Sequence, residues 1–378
     1  MLSAFSIGIG GVLPAPSSRH LLAEQVDSDS SPAYPLWTSS NSLCADGKAA
    51  PQLYLLGAQK SGTTALGATI FAAGGISASY ARGVTHGSAK EICALHDAFG
   101  YMNDLRDREE KDNKHVTNDE RTKWSSRFVH DCTSTEASNS TFTDMTSDYY
   151  SEPALPALLA ELHGPAAARL TLALIVREPL ARMQSSFYWS YTDGSTFGDH
   201  AIKLWETLQD RQALDPSAVW SFTRTTIASA AANHGTSVEF LVGSLYGQVM
   251  REWLTAFAPQ QFIILPSKWA LDNPAEAITT ISSGRAAMRL DASSANFGVR
   301  DTPVSINARA HPTLADDLDA NATAWLRDTF FDPDTEALVS LLAAAGSDGL
   351  VVAGCGEGLC DDAAGLKAHI TAEWVMDD

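Results

Sequence analysis

Apolar residues in this chain cluster in short runs, and three of the runs read as buried strands. Leu53-Tyr54-Leu55-Leu56, Arg169 to Val176 (RLTLALIV) and Phe262 to Leu265 are continuous apolar stretches bounded by polar or turn-forming residues. That is the pattern of strands covered on both faces. Helical spacing fills the intervals. A helix is predicted from Thr63 onward and another over Leu180–Tyr191, after Arg177-Glu178-Pro179 ends the second strand. Leu241, Leu245, Val249 and Trp253 predict a single helix over Val238–Phe257, and two closing helices, Ala322–Phe330 and Asp334–Ala344, flank Pro333. Strands alternating with helices imply an α/β fold with a central parallel sheet flanked by helices in three layers. Residues 82–145 are polar and irregular, with Arg106–Asp112 read as a solvated helix face, and residues 195–235 read as an Ala-rich insertion. No internal repeat interrupts this order.

Composition adds boundaries and exclusions. Residues 1–49 are rich in Ser, Pro and Ala and read as an N-terminal arm, disordered or targeting-related. Residues 50–346 form the main domain and 347–378 an acidic C-terminal segment. A net charge of −19 over 378 residues argues against nucleic acid and anionic membrane surfaces as partners. Any anion the chain binds must therefore meet locally concentrated cations. No run approaches the roughly 18 apolar residues of a membrane span. The apolar stretch Leu2–Leu13 lacks a basic flank and reads as a tail rather than a signal peptide. Five cysteines are too few for a disulfide scaffold. Cys355 and Cys360 flank a short loop, closed by a disulfide or left as two thiols, whereas Cys44, Cys93 and Cys132 have no evident partner. Asn139-Ser140-Thr141 and Asn321-Ala322-Thr323 are glycosylation sequons that matter only in a secretory pathway.

The stretch that carries chemistry is Gly57-Ala58-Gln59-Lys60-Ser61-Gly62-Thr63-Thr64. A strand, a glycine-bounded turn and a helix start present backbone N–H groups and a positive dipole end to an anion. A nucleotide-triphosphatase P-loop needs Lys directly after its second glycine. Here Thr63 stands there, and the lysine is Lys60, inside the loop. The bland alternative is an ordinary connection that binds nothing. A second constellation is Arg177 at a strand end with Ser185 in the following helix, a charged fork plus a hydroxyl.

With an apolar strand before it, Gly-x-x-Lys-x-Gly-Thr-Thr resembles the 5′-phosphosulfate loop of the sulfotransferases that use 3′-phosphoadenosine 5′-phosphosulfate (PAPS). Arg177-Glu178-Pro179-Leu180-Ala181-Arg182-Met183-Gln184-Ser185 is similar to the 3′-phosphate motif of the same enzymes, in the same order along the chain. Lys90-Glu91, Asp144 to Tyr150, Leu245-Tyr246 to Leu265, and Trp325 to Leu338 resemble segments of the carbohydrate branch, the heparan-sulfate and chondroitin-type enzymes. The likeness runs over about residues 51–345.

The resemblance implies a P-loop-like fold and in-line transfer of a sulfonyl group from PAPS to a carbohydrate hydroxyl or amine, without a metal. It implies that Gln59, Lys60, Ser61, Gly62, Thr63, Thr64, Arg177 and Ser185 bind the donor. Lys60 would act on the leaving-group oxygen, Lys90 on the sulfonyl oxygens, and Glu91 as the base. The family's His and two aromatics after Lys-Glu are replaced by Ile92-Cys93-Ala94-Leu95-His96, so His86 and His96 are reserve bases. Phe297-Gly298-Val299-Arg300, with Arg309 nearby, is the best stand-in for the loop that wraps the adenosine, which makes Arg300 a further donor residue. Location in the secretory pathway or Golgi follows from resemblance alone; otherwise the chain is cytoplasmic. The alternatives are a sulfotransferase for a small metabolite, lipid or tyrosine, a nucleotide kinase with a degenerate loop, and an inactive glycan-binding member.

Overall fold

Side chains alternate across three adjacent strands and thereby divide the core in two. On β4 (Leu53–Gly57), β7 (Thr171–Val176) and β8 (Phe262–Pro266), residues Leu53, Leu55, Ala173, Ile175, Ile263 and Leu265 enter one apolar cluster. Tyr54, Leu56, Leu172, Leu174, Val176, Phe262 and Ile264 enter the other. This is period-two geometry with both faces covered. The computed structural model describes residues 34–37, 43–72, 76–78, 94–99, 105, 115–135, 141–191, 194–210, 215–219, 238–282, 311–355, 360, 362–372 and 374.

The central sheet is six-stranded and parallel throughout. β5 (Ile76–Ala78) and β6 (Thr141–Asp144) lie on one side of β4, and β7, β8 and β9 (Val351–Val352) on the other, in the order β5-β6-β4-β7-β8-β9. One face is covered by α1 (Thr63–Ala72) and the helices over Ser267–Asp272 and Pro274–Ser282, through Leu66, Ile70, Ala270 and Ile278. The other face carries α2 (Leu155–His163), α3 (Pro179–Ser190), α4 (Tyr246–Ala256) and α5 (Asp332–Gly346), through Leu159, Met183, Trp253 and Leu342. This is the three-layer α/β arrangement that the apolar pattern implies.

Several boundaries differ from those read off the sequence. The compact unit runs from Tyr34 to Asp378, not from residue 50. Within it, β1 (Leu36–Trp37), β2 (Leu43–Ala45) and β3 (Lys48–Ala50) form a small antiparallel sheet. Cys44 and Cys132, which have no evident partner in the sequence, are disulfide-bonded to each other, and Cys355 is bonded to Cys360. The helix expected over Val238–Phe257 is two, Val238–Val242 and α4, because buried Asp334 accepts from the Gly247 and Gln248 N–H groups (2.7 and 2.9 Å) and caps α4 there. The closing helices are continuous. A π-helical stretch over Arg327–Phe331 joins Ala320–Leu326 to α5, and Pro333, in the first turn of α5, lacks the N–H that a regular helix would bond back into the preceding turn there. Part of the expected insertion is a helix, Phe197–Asp210, that buries Phe197, Ala201, Leu204 and Leu208. The C-terminal segment supplies β9 and the helix Ala363–Ala372. The run Arg106–Asp112 lies outside the described residues.

Beneath the sheet, His163 is fully buried, its Nε2 2.9 Å from the Tyr54 hydroxyl and its ring edge-on to Trp124. Burial, reinforced by the charge of Arg121, lowers its pKa to about 3. A histidine whose folded pKa is depressed favours the folded state above the unfolded value, about 6.5. That contribution is lost as pH falls from there toward about 3. The measurement is the urea unfolding free energy of wild type and His163→Gln from pH 7 to pH 4. The difference between them should change with a slope of up to about 1.4 kcal/mol per pH unit. Parallel profiles would contradict the assignment.

Candidate anion-binding site

At the C-terminal edge of β4 the chain turns through residues 57–62 into α1. Gly57 takes φ +144°, and a Cβ there would collide with the Ser147 carbonyl oxygen. Only glycine lets the strand end so close to its neighbour. Gly62 takes φ +95° immediately before α1, while Lys60, not a glycine, is held at φ +69°. A non-glycine residue in this region is uncommon and needs outside support.

That support comes from the loop's carbonyl groups. Arg182 Nε donates to Gln59 O (2.9 Å), Arg177 Nη1 to Lys60 O (2.9 Å) and Ser267 Oγ to Ser61 O (2.7 Å). In a trans peptide the C=O of one residue and the N–H of the next point in opposite directions. Fixing the Gln59 and Ser61 carbonyls therefore turns the N–H groups of Lys60 and Gly62 to the far side of the loop. The Ala58 N–H is tied to Ile175 O (3.0 Å) and the Ser61 N–H to Ala58 O (3.1 Å). The first turn of α1 adds N–H groups that have no acceptor within the helix, along with the positive end of its dipole.

The walls are built from α3 and α4. Arg182, Ser185, Ser186 and Trp189 stand at helical i, i+3, i+4 and i+7 positions, hence on one face of α3. Buried Arg182 also donates to Phe240 O (2.9 Å) and Ser244 Oγ (3.0 Å), and Ser186 Oγ donates to Gln59 Oε1 (3.3 Å). The Trp189 ring centroid lies 4.4 Å from Lys60 Nζ. The hydroxyl of half-buried Ser185 makes no hydrogen bond among the described residues. From α4, the Tyr246 hydroxyl accepts from the Arg177 N–H (3.1 Å) and lies 3.4 Å from Ser61 Oγ. Burial lowers the pKa of both Arg177 and Arg182, partly opposed by Tyr246. Arginine nevertheless keeps its charge in proteins, so two fixed cations stand behind the loop. Glu178 caps α3 by accepting from the Ala181 N–H (2.5 Å) and pairs with Arg327 Nη2 (3.0 Å); burial raises its pKa.

Gln59, Lys60, Ser61 and Gly62 thus share one loop and Thr63 and Thr64 open the helix that follows it, with Arg177 bonded to the loop and Ser185 on the helix that lines it. Arg177 spends one guanidinium nitrogen on the Lys60 carbonyl of the loop itself. Lys90, Glu91, Arg300, Arg309 and His86 lie outside the described residues, and His96 falls within the helix Ala94–Phe99. Sequence reasoning passed over Arg182, Ser186, Trp189, Tyr246 and Ser267 as parts of the site. The first three were legible from helical periodicity around Ser185. Tyr246 and Ser267 reach Ser61 across 185 and 206 residues, with no local signal.

No protein-family profile matches the chain, and no curated protein sequence matches it. Among solved structures, a sulfotransferase from Alicyclobacillus acidocaldarius is similar at a TM-score of 0.40 and 13% identity, over 78% of this chain and 96% of that one.

The clamp on the loop is testable by itself. Arg182→Met takes the charged donor from Gln59 O, Phe240 O and Ser244 Oγ, of which Phe240 O keeps the Ser244 hydroxyl (3.3 Å), and should lower the unfolding free energy by roughly 2–4 kcal/mol. A loss within 0.5 kcal/mol, about the size of an ordinary surface substitution, in urea titration would show that the loop does not depend on it.

Proposed function

We propose that the chain is a PAPS-dependent sulfotransferase acting on a carbohydrate hydroxyl or amine. The observation that supports this most is the 2.9 Å bond from Arg177 to the Lys60 carbonyl. It ties the loop that resembles the phosphosulfate motif to the strand end that resembles the 3′-phosphate motif, an adjacency that a single bisphosphorylated nucleotide would need. The residues present fit such a donor: a strand end that admits only glycine, N–H groups turned outward, and three cations, Lys60, Arg177 and Arg182, at one sheet edge.

PAPS, when bound, supplies an activated sulfonyl group on a phosphate leaving group. The protein's part in such a transfer is positioning and charge neutralisation, as in phosphoryl transfer. Lys60 offers a cation where negative charge builds up, the loop N–H groups and Thr63 and Thr64 orient the 5′ end, and Arg177 with Ser185 hold the 3′ end. Glu91 takes the acceptor's proton, Lys90 adds a second cation, and Arg300 contributes from the adenosine side. These last three roles rest on the likeness of their segments to the carbohydrate branch. The two disulfides are of a kind that persists in oxidising compartments and favours a secretory location.

Calorimetry with 3′-phosphoadenosine 5′-phosphate should give saturable binding that ATP with magnesium does not, weakened at least 10-fold by Lys60→Met. With labelled PAPS and a panel of glycans, lipids and phenols, Glu91→Gln should lower kcat by about 10²–10⁴-fold and leave nucleotide affinity unchanged. Binding of magnesium-ATP in preference to the bisphosphate would overturn the reading.

A further inference from the structure

Lys60 is held at both ends. Its backbone, in the left-handed region, is fixed by Arg177 on its carbonyl, and its ammonium lies 4.4 Å from the centroid of Trp189. Trp189 is 39% exposed, so it stands at the rim of the site rather than in the core. It occupies the same face of α3 as Arg182 and Ser186, each bonded to Gln59. The helix therefore follows the loop residue by residue: Arg182 and Ser186 set Gln59, and one turn later Trp189 sets the Lys60 side chain.

We propose that Trp189 is a positioning residue whose indole face holds the Lys60 ammonium at the mouth of the loop, ready for the phosphate groups of an incoming ligand. This rests on the reading of the loop as the donor site. An indole attracts an ammonium through its ring quadrupole and leaves the positive charge intact. It also removes freedom that a four-carbon side chain would otherwise lose on binding. In this role Trp189 acts through Lys60.

The test is a double-mutant cycle read by calorimetry with two probes, 3′-phosphoadenosine 5′-phosphate and inorganic pyrophosphate. Cation–π contacts are worth about 2- to 30-fold in affinity. Trp189→Leu should therefore weaken binding of both probes about 3- to 10-fold, Trp189→Phe should stay within about 2-fold of wild type, and Trp189→Leu should change nothing when added to Lys60→Met. A merely structural tryptophan would give the same loss with or without Lys60, and that result would overturn the proposal. So would equal affinities for wild type and Trp189→Leu, or a wild type that binds neither probe. A protein that ignores the nucleotide but shows the full pattern with pyrophosphate would sink the donor reading and keep the platform. Trp189→Met serves in the same cycle should the leucine variant melt early.

Discussion

The site depends on where three carbonyl groups point. A loop of small and polar residues at a strand end has no fixed shape by itself, and its N–H groups could as readily face the protein as the solvent. Here the Gln59, Lys60 and Ser61 oxygens are each taken by a side chain from elsewhere in the fold. Peptide planarity carries that constraint through to the N–H groups. Donors fixed before a ligand arrives need no reorganisation when it binds, which is the source of their strength. The left-handed backbone at Lys60 is tolerated on the same account, because its carbonyl is held by a charged donor.

Those anchors are themselves held by the apolar layer beneath them. Asp334, on α5, caps α4 through Gly247 and Gln248, and α4 begins with Tyr246, whose hydroxyl meets Arg177 and Ser61. Burial raises Asp334 to about 7, opposed by the two N–H groups it accepts from. Glu178 does the corresponding work for α3, fixed by Arg327 from the π-helical stretch. A π-turn re-aims the residues around it relative to a regular helix, and it falls where Arg327 must reach another layer. The last part of the chain thus serves the loop near its beginning through two helix caps.

Much of this was open to reading because it is local. β4, β7 and β8 are runs in which every residue is buried, and the loop glycines sit at positive φ as a tight strand-to-helix turn demands. In the central sheet, the strands that escaped notice are β5 and β9, three and two residues long, and β6, whose sequence Thr141-Phe142-Thr143-Asp144 is mostly polar although wholly buried. No periodicity can develop over such lengths. The Cys44–Cys132 bond joins residues 88 apart, and spacing alone does not fix connectivity. The missed half of the site has the same cause. A serine at 267 and a tyrosine at 246 become loop anchors only once β7 and β8 lie side by side, and no window of sequence spans that distance.

An acidic chain with an anion site poses an electrostatic question that distance answers. The net charge of −19 is spread over the whole chain, and beyond a Debye length of about 8 Å at physiological salt exposed charges are largely screened. Arg177 and Arg182 stand directly behind the loop, the first half-buried and the second buried, where screening is weak and each charge acts at short range. The near field at the cradle is positive while the far field is negative. A compact anion that reaches the loop is held; an extended polyanion lying across the surface meets repulsion along most of its length. The local cations rather than the overall charge therefore decide what the loop can hold.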